Sequence, residues 1–173
     1  NDMFELSSLI AHHAKYRTDS LAVVCDGQRL TYSKFWDRVS KAAGLLKSLK
    51  LKQGDKVCTL SHNSLPLLEA YWAIPSAELC LVPLSPLLSS DLLSKLLQEI
   101  NAQCLLVSHQ FLSLLKLIPK SSLPENIIVL DSDEIVHKSY RLLQSQAEPI
   151  SPIQTDSQLA FNIMFTSGTT GEP

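Results

Sequence analysis

An α/β fold with a mainly parallel sheet is predicted for this 173-residue chain, and three observations predict it. Short apolar runs alternate with longer stripes of helical period along most of the sequence. The intervals between the apolar runs are long enough to carry crossover helices, which join parallel strands, whereas hairpins join antiparallel ones. Turn and cap residues stand at the junctions, notably Asp26-Gly27, Thr31, Gly54-Asp55 and Ser64.

Residues 4 to 16 have helical period, and "LAVVCDGQRLTY" reads as two short strands turned at Asp26-Gly27. Thr31 then caps a helix whose inward face is Tyr32, Phe35, Trp36, Val39, Ala42, Ala43, Leu46 and Leu49. A turn at Gly54-Asp55 leads into a strand from Lys56 to Leu60. Ser64 caps a second helix carrying Leu67, Leu68, Tyr71 and Trp72. Pro66 is tolerated in its first turn, but Pro75 has no N–H and clashes with the carbonyl of Tyr71, so a kink or an end is expected there. Strand "LCLVPL" follows, then a helix over about 89 to 101 with Leu92, Leu93, Leu96, Leu97 and Ile100 inward. Strand "QCLLVS", a short helix to Ile118 and strand "NIIVL" complete the pattern. A polar stretch runs to about 158, before a last strand "LAFNIMF". Residues 144 to 158 lose apolar period and collect Gln, Ser and Pro, which marks an internal linker.

Composition narrows the function. A 45% hydrophobic content supplies a core, and the formal charge of −2 is spread without any basic run, which argues against nucleic acid and anionic membrane as partners. The apolar stretch "CLVPLSPLLSS" is broken by Pro83 and Pro86 and is too short to cross a bilayer, and no signal peptide is visible at the start. Cys25, Cys58, Cys80 and Cys104 are far apart, the pattern of reduced thiols in a cytoplasmic protein. The histidines show no metal-ligand spacing.

Two of the five glycines stand in the last six residues, within "FTSGTTGEP". Such a segment at the carboxyl end of a strand is either a phosphate cradle of converging N–H and hydroxyl donors or a structural turn, and the residues alone leave both open. It matches neither the nucleoside triphosphate loop ending in Gly-Lys-Ser/Thr nor a dinucleotide turn. The segment does, however, closely resemble the phosphate-loop signature of the AMP-forming adenylating enzymes, which include acyl-CoA synthetases, peptide-synthetase adenylation domains and luciferases. Upstream, "LTYSKFWDRVSKAAGLLKSLKLKQGDKV", "HNSLPLLEAYWA" and "LVPLSP" resemble successive elements of that family in order, so the resemblance covers roughly residues 20 to 173.

That resemblance implies a two-step reaction. A carboxylate attacks the α-phosphate of ATP to give acyl-AMP and pyrophosphate, and a thiol then takes the acyl group. It implies phosphate contacts from Thr166, Ser167, Gly168, Thr169, Thr170 and Gly171, with the Thr166 hydroxyl also a magnesium contact. ATP, Mg2+ and coenzyme A are the implied cofactors, with a carrier-protein thiol as the alternative acceptor; the competing class is a non-catalytic α/β binding or structural domain. The family pattern continues past Pro173 with Lys-Gly and with further pockets and domains. Residues 1–173 are therefore expected to be the amino-terminal portion of an AMP-binding domain, without catalytic residues of their own and inactive alone. A chain cut after "LAFNIMF" is also expected to self-associate, most simply as a symmetric dimer. The family usually has Gly where this chain has Glu78, and Pro75 is unusual there too.

Other residues have plainer accounts. His62 fits a polar loop, and Tyr71 with Trp72, although candidates for an acyl pocket, predict one core and one half-exposed aromatic. Asp131, Asp133 and Glu134 fit a solvated turn or helix cap, and Asp156 shapes the approach to the last strand. None of these is assigned to the site.

Overall fold

The computed structural model describes residues 21–25, 27–134 and 136–150. A hairpin of β1 (Leu21–Cys25) and β2 (Gln28–Thr31) opens the described chain and pairs antiparallel. Thr31 ends β2 and its hydroxyl accepts from Lys34 N–H at 3.1 Å, starting α1 (Tyr32–Ser48). The sheet strands and helices then alternate as far as the last two strands, which follow one another before a last helix: β3 (Lys56–Leu60), α2 (Leu65–Ser76), β4 (Cys80–Pro83), α3 (Ser90–Ile100), β5 (Cys104–Val107), α4 (Leu112–Leu115), β6 (Asn126–Val129), β7 (Lys138–Ser139) and α5 (Tyr140–Gln146). The helix expected at 4 to 16, the strand "LAFNIMF" and the Gly-rich segment lie outside the described residues.

The five strands β3 to β7 form one parallel sheet in the order β4-β3-β5-β6-β7. Strand alternation divides the core between its two faces. Val57, Cys104, Leu106 and Ile128 point toward α1, α2 and α5, while Cys58, Leu105, Val107 and Val129 meet α3 and α4. The crossover from β3 through α2 moves one way along the sheet. The crossover from β4 through α3 passes back over β3 to β5, and all later strands add on that other side. The reversal of order therefore lies between β3 and β5.

Local chemistry explains the junctions. Gly54 adopts φ +84°, open to glycine and disfavoured for other residues, and its N–H donates to Glu78 O at 2.8 Å. Ser64 accepts from Leu67 N–H at 3.3 Å, with Pro66 in the first turn of α2. Helix α2 passes through Pro75 and stops one residue later at Ser76, so the expected end is displaced by a single position. Glu78, in the following turn, has φ +63°, the left-handed conformation that favours glycine.

Two expectations differ from the structure. Leu92 is 52% exposed at the start of α3, where Leu93 and Leu97 alone are fully buried; the apolar stripe is narrower than its leucines suggest. The polar stretch after β6 contains β7 and α5, whose buried residues Ser139, Tyr140 and Gln144 carry no apolar period for a sequence to show. Beyond α5 the chain lies against α1. Ser40 Oγ donates to Ile150 O at 2.7 Å, Ile150 N–H donates to Ser40 O at 3.3 Å, and a Cβ built on Gly44 would stand 1.9 Å from Glu148 O. Gly44 is therefore what permits the close approach.

Candidate functional site

Open parallel sheets bind ligands beyond the carboxyl ends of their strands, and polar side chains gather there in this chain. Across the ends of β3 and β5, Ser61 Oγ donates to His62 O at 2.7 Å and lies 2.6 Å from Ser108 Oγ. Ser108 Oγ in turn lies 3.1 Å from His62 Nδ1 and accepts from His62 N–H at 3.3 Å. Ser108 is fully buried and His62 is exposed. His62 is thus a loop residue, as its position suggested, but one tied down through its ring.

The ends of β5 and β6 are joined by acidic groups. His109 N–H donates to Asp131 Oδ1 at 2.7 Å, His109 Nδ1 lies 2.8 Å from Glu134 Oε2, and Ser132 Oγ donates to the same oxygen at 2.9 Å. The Ser132 hydroxyl, then His109, hold the Glu134 carboxyl below its ordinary value. Asp133 is lowered by Arg141 first and Ser139 second, with Arg141 Nη2 2.6 Å from Asp133 Oδ2. Each of the three acids is engaged in a hydrogen-bonded turn. Among the described residues no group of three or more His, Cys, Asp or Glu is placed to hold a metal ion.

Beside this turn lies a cavity of about 460 Å³, lined by Arg38, Pro66, Asp131, Asp133, Tyr140 and Arg141 among others. Its inner wall rests on Glu69, whose carboxylate is fully buried in α2. Arg38 Nε forms an ion pair with Glu69 Oε2. Tyr140 OH donates to Glu69 Oε1 at 2.9 Å, and Gln144 Nε2 donates to that oxygen at 3.2 Å and to Arg38 O at 2.8 Å. Burial, then the Glu69 charge, push the Tyr140 phenol well above its ordinary pKa, so it remains a donor. The carboxylate is saturated by partners from α1 and α5, which makes this cluster a clamp between three helices rather than a reagent. Sequence reasoning passed over it. The available signal was a single charged residue inside the apolar run "LPLLEAYWAIP".

Tyr71 and Trp72 are both buried, at 9% and 3% exposure, where one half-exposed aromatic was expected. The cause is that α2 packs against the sheet and α1 together, leaving that stretch of helix no solvent face. The sequence-predicted phosphate contacts Thr166, Ser167, Gly168, Thr169, Thr170 and Gly171 lie outside the described residues. All four cysteines are thiols; burial pushes Cys58 up to about 11 and Cys104 up to about 12. No described helix is long and apolar enough to cross a membrane.

The chain is similar to several ligases. It is 28% identical over 162 residues to a fatty acid–[acyl-carrier-protein] ligase, ScoC, of Streptomyces coeruleorubidus, covering 93% of this chain and 30% of that protein. It is 28% identical over 170 residues to 4-hydroxybutyrate–CoA ligase 2 of Metallosphaera sedula, covering 92% and 31%. Among solved structures, the anthranilate CoA ligase AuaEII in complex with anthranoyl-AMP superposes with a TM-score of 0.77 at 18% identity, over 90% of this chain and 29% of that one. That likeness concerns the fold. The chain thus spans about a third of the length of the curated relatives it matches. The AMP-binding enzyme family matches residues 10–173, a span that takes in the sheet, the helices and the Gly-rich segment together, and the chain belongs to that family.

Proposed function

We propose that this chain is the amino-terminal portion of the AMP-binding domain of an ATP-dependent acid–thiol ligase. The whole protein activates a carboxylate as acyl-AMP and passes the acyl group to coenzyme A, and the 173 residues alone are inactive. One observation carries this: the family match runs unbroken into "FTSGTTGEP", the segment whose donors suit a polyphosphate. Thr166, Ser167, Thr169 and Thr170 supply hydroxyls and N–H groups for phosphate oxygens, Thr166 adds a magnesium contact, and Gly168 and Gly171 allow the backbone to approach. When bound, ATP would supply the leaving pyrophosphate, and Mg2+ held by Thr166 would neutralise its charge. Preorganised donors are what that charge development requires. A carrier-protein thiol is the alternative acceptor, supported by the acyl-carrier-protein ligase among the relatives. A cytoplasmic location fits the thiol cysteines.

The test is pyrophosphate release from ATP with a panel of carboxylates, using the full-length protein that carries this chain and the 173-residue chain in parallel. Release is expected from the full-length protein only. Gly168→Val in the full-length protein should slow it by about tenfold or more, since a Cβ at a close-approach position costs on the order of 1–3 kcal/mol. Unchanged turnover in that variant counts against the cradle.

A further inference from the structure

We propose that His62 accepts the proton of the acceptor thiol in the second half-reaction, a role that rests on the ligase reading above. Two independent observations lead there. The first is topological. With strand order β4-β3-β5-β6-β7, the crossovers leaving β3 and β5 depart in opposite directions, and the carboxyl ends at such a switch point are where open α/β sheets place a ligand. The residues at that point are Ser61, His62 and Ser108.

The second is a count of protons. Ser61 has one hydroxyl proton and gives it to His62 O, so in its 2.6 Å contact with Ser108 it can only accept. Ser108 therefore spends its own proton on Ser61. In the 3.1 Å contact with His62 Nδ1, Ser108 Oγ has only a lone pair to offer, so Nδ1 must carry the hydrogen. In its neutral form the ring then has its proton on Nδ1 and a bare lone pair on Nε2, which makes no hydrogen bond among the described residues on an exposed side chain. Ser61 and Ser108, one half-buried and one buried, fix both tautomer and ring position.

A bare imidazole lone pair repels phosphate oxygens and carboxylates, so it does not serve the adenylation step, whose reactants are anions and release no proton. Thioester formation does release one. The sulfur forms a bond to the acyl carbonyl carbon, the S–H proton passes to His62 Nε2, and the bond from that carbon to the phosphate oxygen breaks, with AMP leaving on the electron pair. Thiols are mostly protonated at neutral pH, and an oriented imidazole is a suitable acceptor.

The two half-reactions separate the outcomes. In the full-length protein, acyl-adenylate formation is followed by pyrophosphate release without thiol, and thioester formation is followed from preformed adenylate with coenzyme A or a phosphopantetheinylated carrier in separate arms. His62→Gln should leave the first within about twofold and slow the second by about a hundredfold. His62→Ala should behave likewise and recover thioester formation when imidazole is added, whereas Ser108→Ala, which frees the ring, should lose an intermediate amount. Equal loss in both half-reactions, no loss in the second, or a loss that imidazole does not restore overturns the proposal. A wild-type protein that makes no acyl adenylate overturns the ligase reading itself, and this role with it.

Discussion

Single residues show how much the backbone dictates and how little of that is visible in composition. Glu78 stood out in the sequence because the family resemblance implied Gly there, and its φ of +63° fits that expectation: the turn from α2 to β4 passes through the left-handed region. Gly44 gave no such signal, because its constraint comes from Glu148, a residue remote in sequence. Gly44→Ala should destabilise the fold by roughly 1–3 kcal/mol, the usual cost of forcing a methyl into a filled space, because the offending atom is backbone and must move as a unit. Equilibrium urea denaturation measures it. A midpoint equal to wild type would mean that residues 147–150 shift away from α1 at no cost.

At the scale of elements, strands and helices with a strong apolar period were legible and those held by polar contacts were not. Lys56–Leu60 has the bounds its pattern predicted, and the caps at Thr31 and Ser64 are the ones their side chains announced. Strand β7 and helix α5 were missed because Ser139, Tyr140 and Gln144 reach their partners through hydrogen bonds. The turn between β6 and α5 also has a pH dependence of definite sign. Asp133 and Glu134 are lowered from 3.8 and 4.5 by partners present only in the folded chain. Their contribution is complete above those ordinary values and is lost as pH falls through the lowered ones. Amide protection across residues 131 to 142 should therefore hold above about pH 4.5 and decrease as pH falls below it while β3 and β5 stay protected, and Asp133→Asn with Glu134→Gln should remove that pH dependence. Protection that declines uniformly over the sheet would assign the acid response to global unfolding instead.

For the molecule as a whole, the parallel sheet with both faces covered was readable from the alternation of strand and helix, and the family from its motifs. The clamp around Glu69 was not readable, since its members are separated by 31, 71 and 75 positions and no local pattern joins them. The sheet also bears on assembly. Strand β4 lies at one edge of the five-stranded sheet, and Leu87 and Leu117 are 93% and 70% exposed. Such features favour pairing between copies. The isolated 173-residue chain is expected to self-associate, most simply as a symmetric dimer, with light scattering after size exclusion giving a mass that rises with concentration. A constant monomer mass at tens of micromolar would show that these residues close their own surface.

The clamp has a further consequence for how the chain is made. Glu69 leaves the ribosome 75 positions ahead of Gln144 and 71 ahead of Tyr140. At synthesis rates of about 5–20 residues per second, the carboxylate waits roughly 4 to 15 seconds for its last donors. Over that interval α1 and α2 can approach, but sealing Glu69 away from water would strand a charge with Arg38 as its one partner among those four residues. Closure of the α1–α2 face is therefore expected to wait until α5 has emerged with Tyr140 and Gln144.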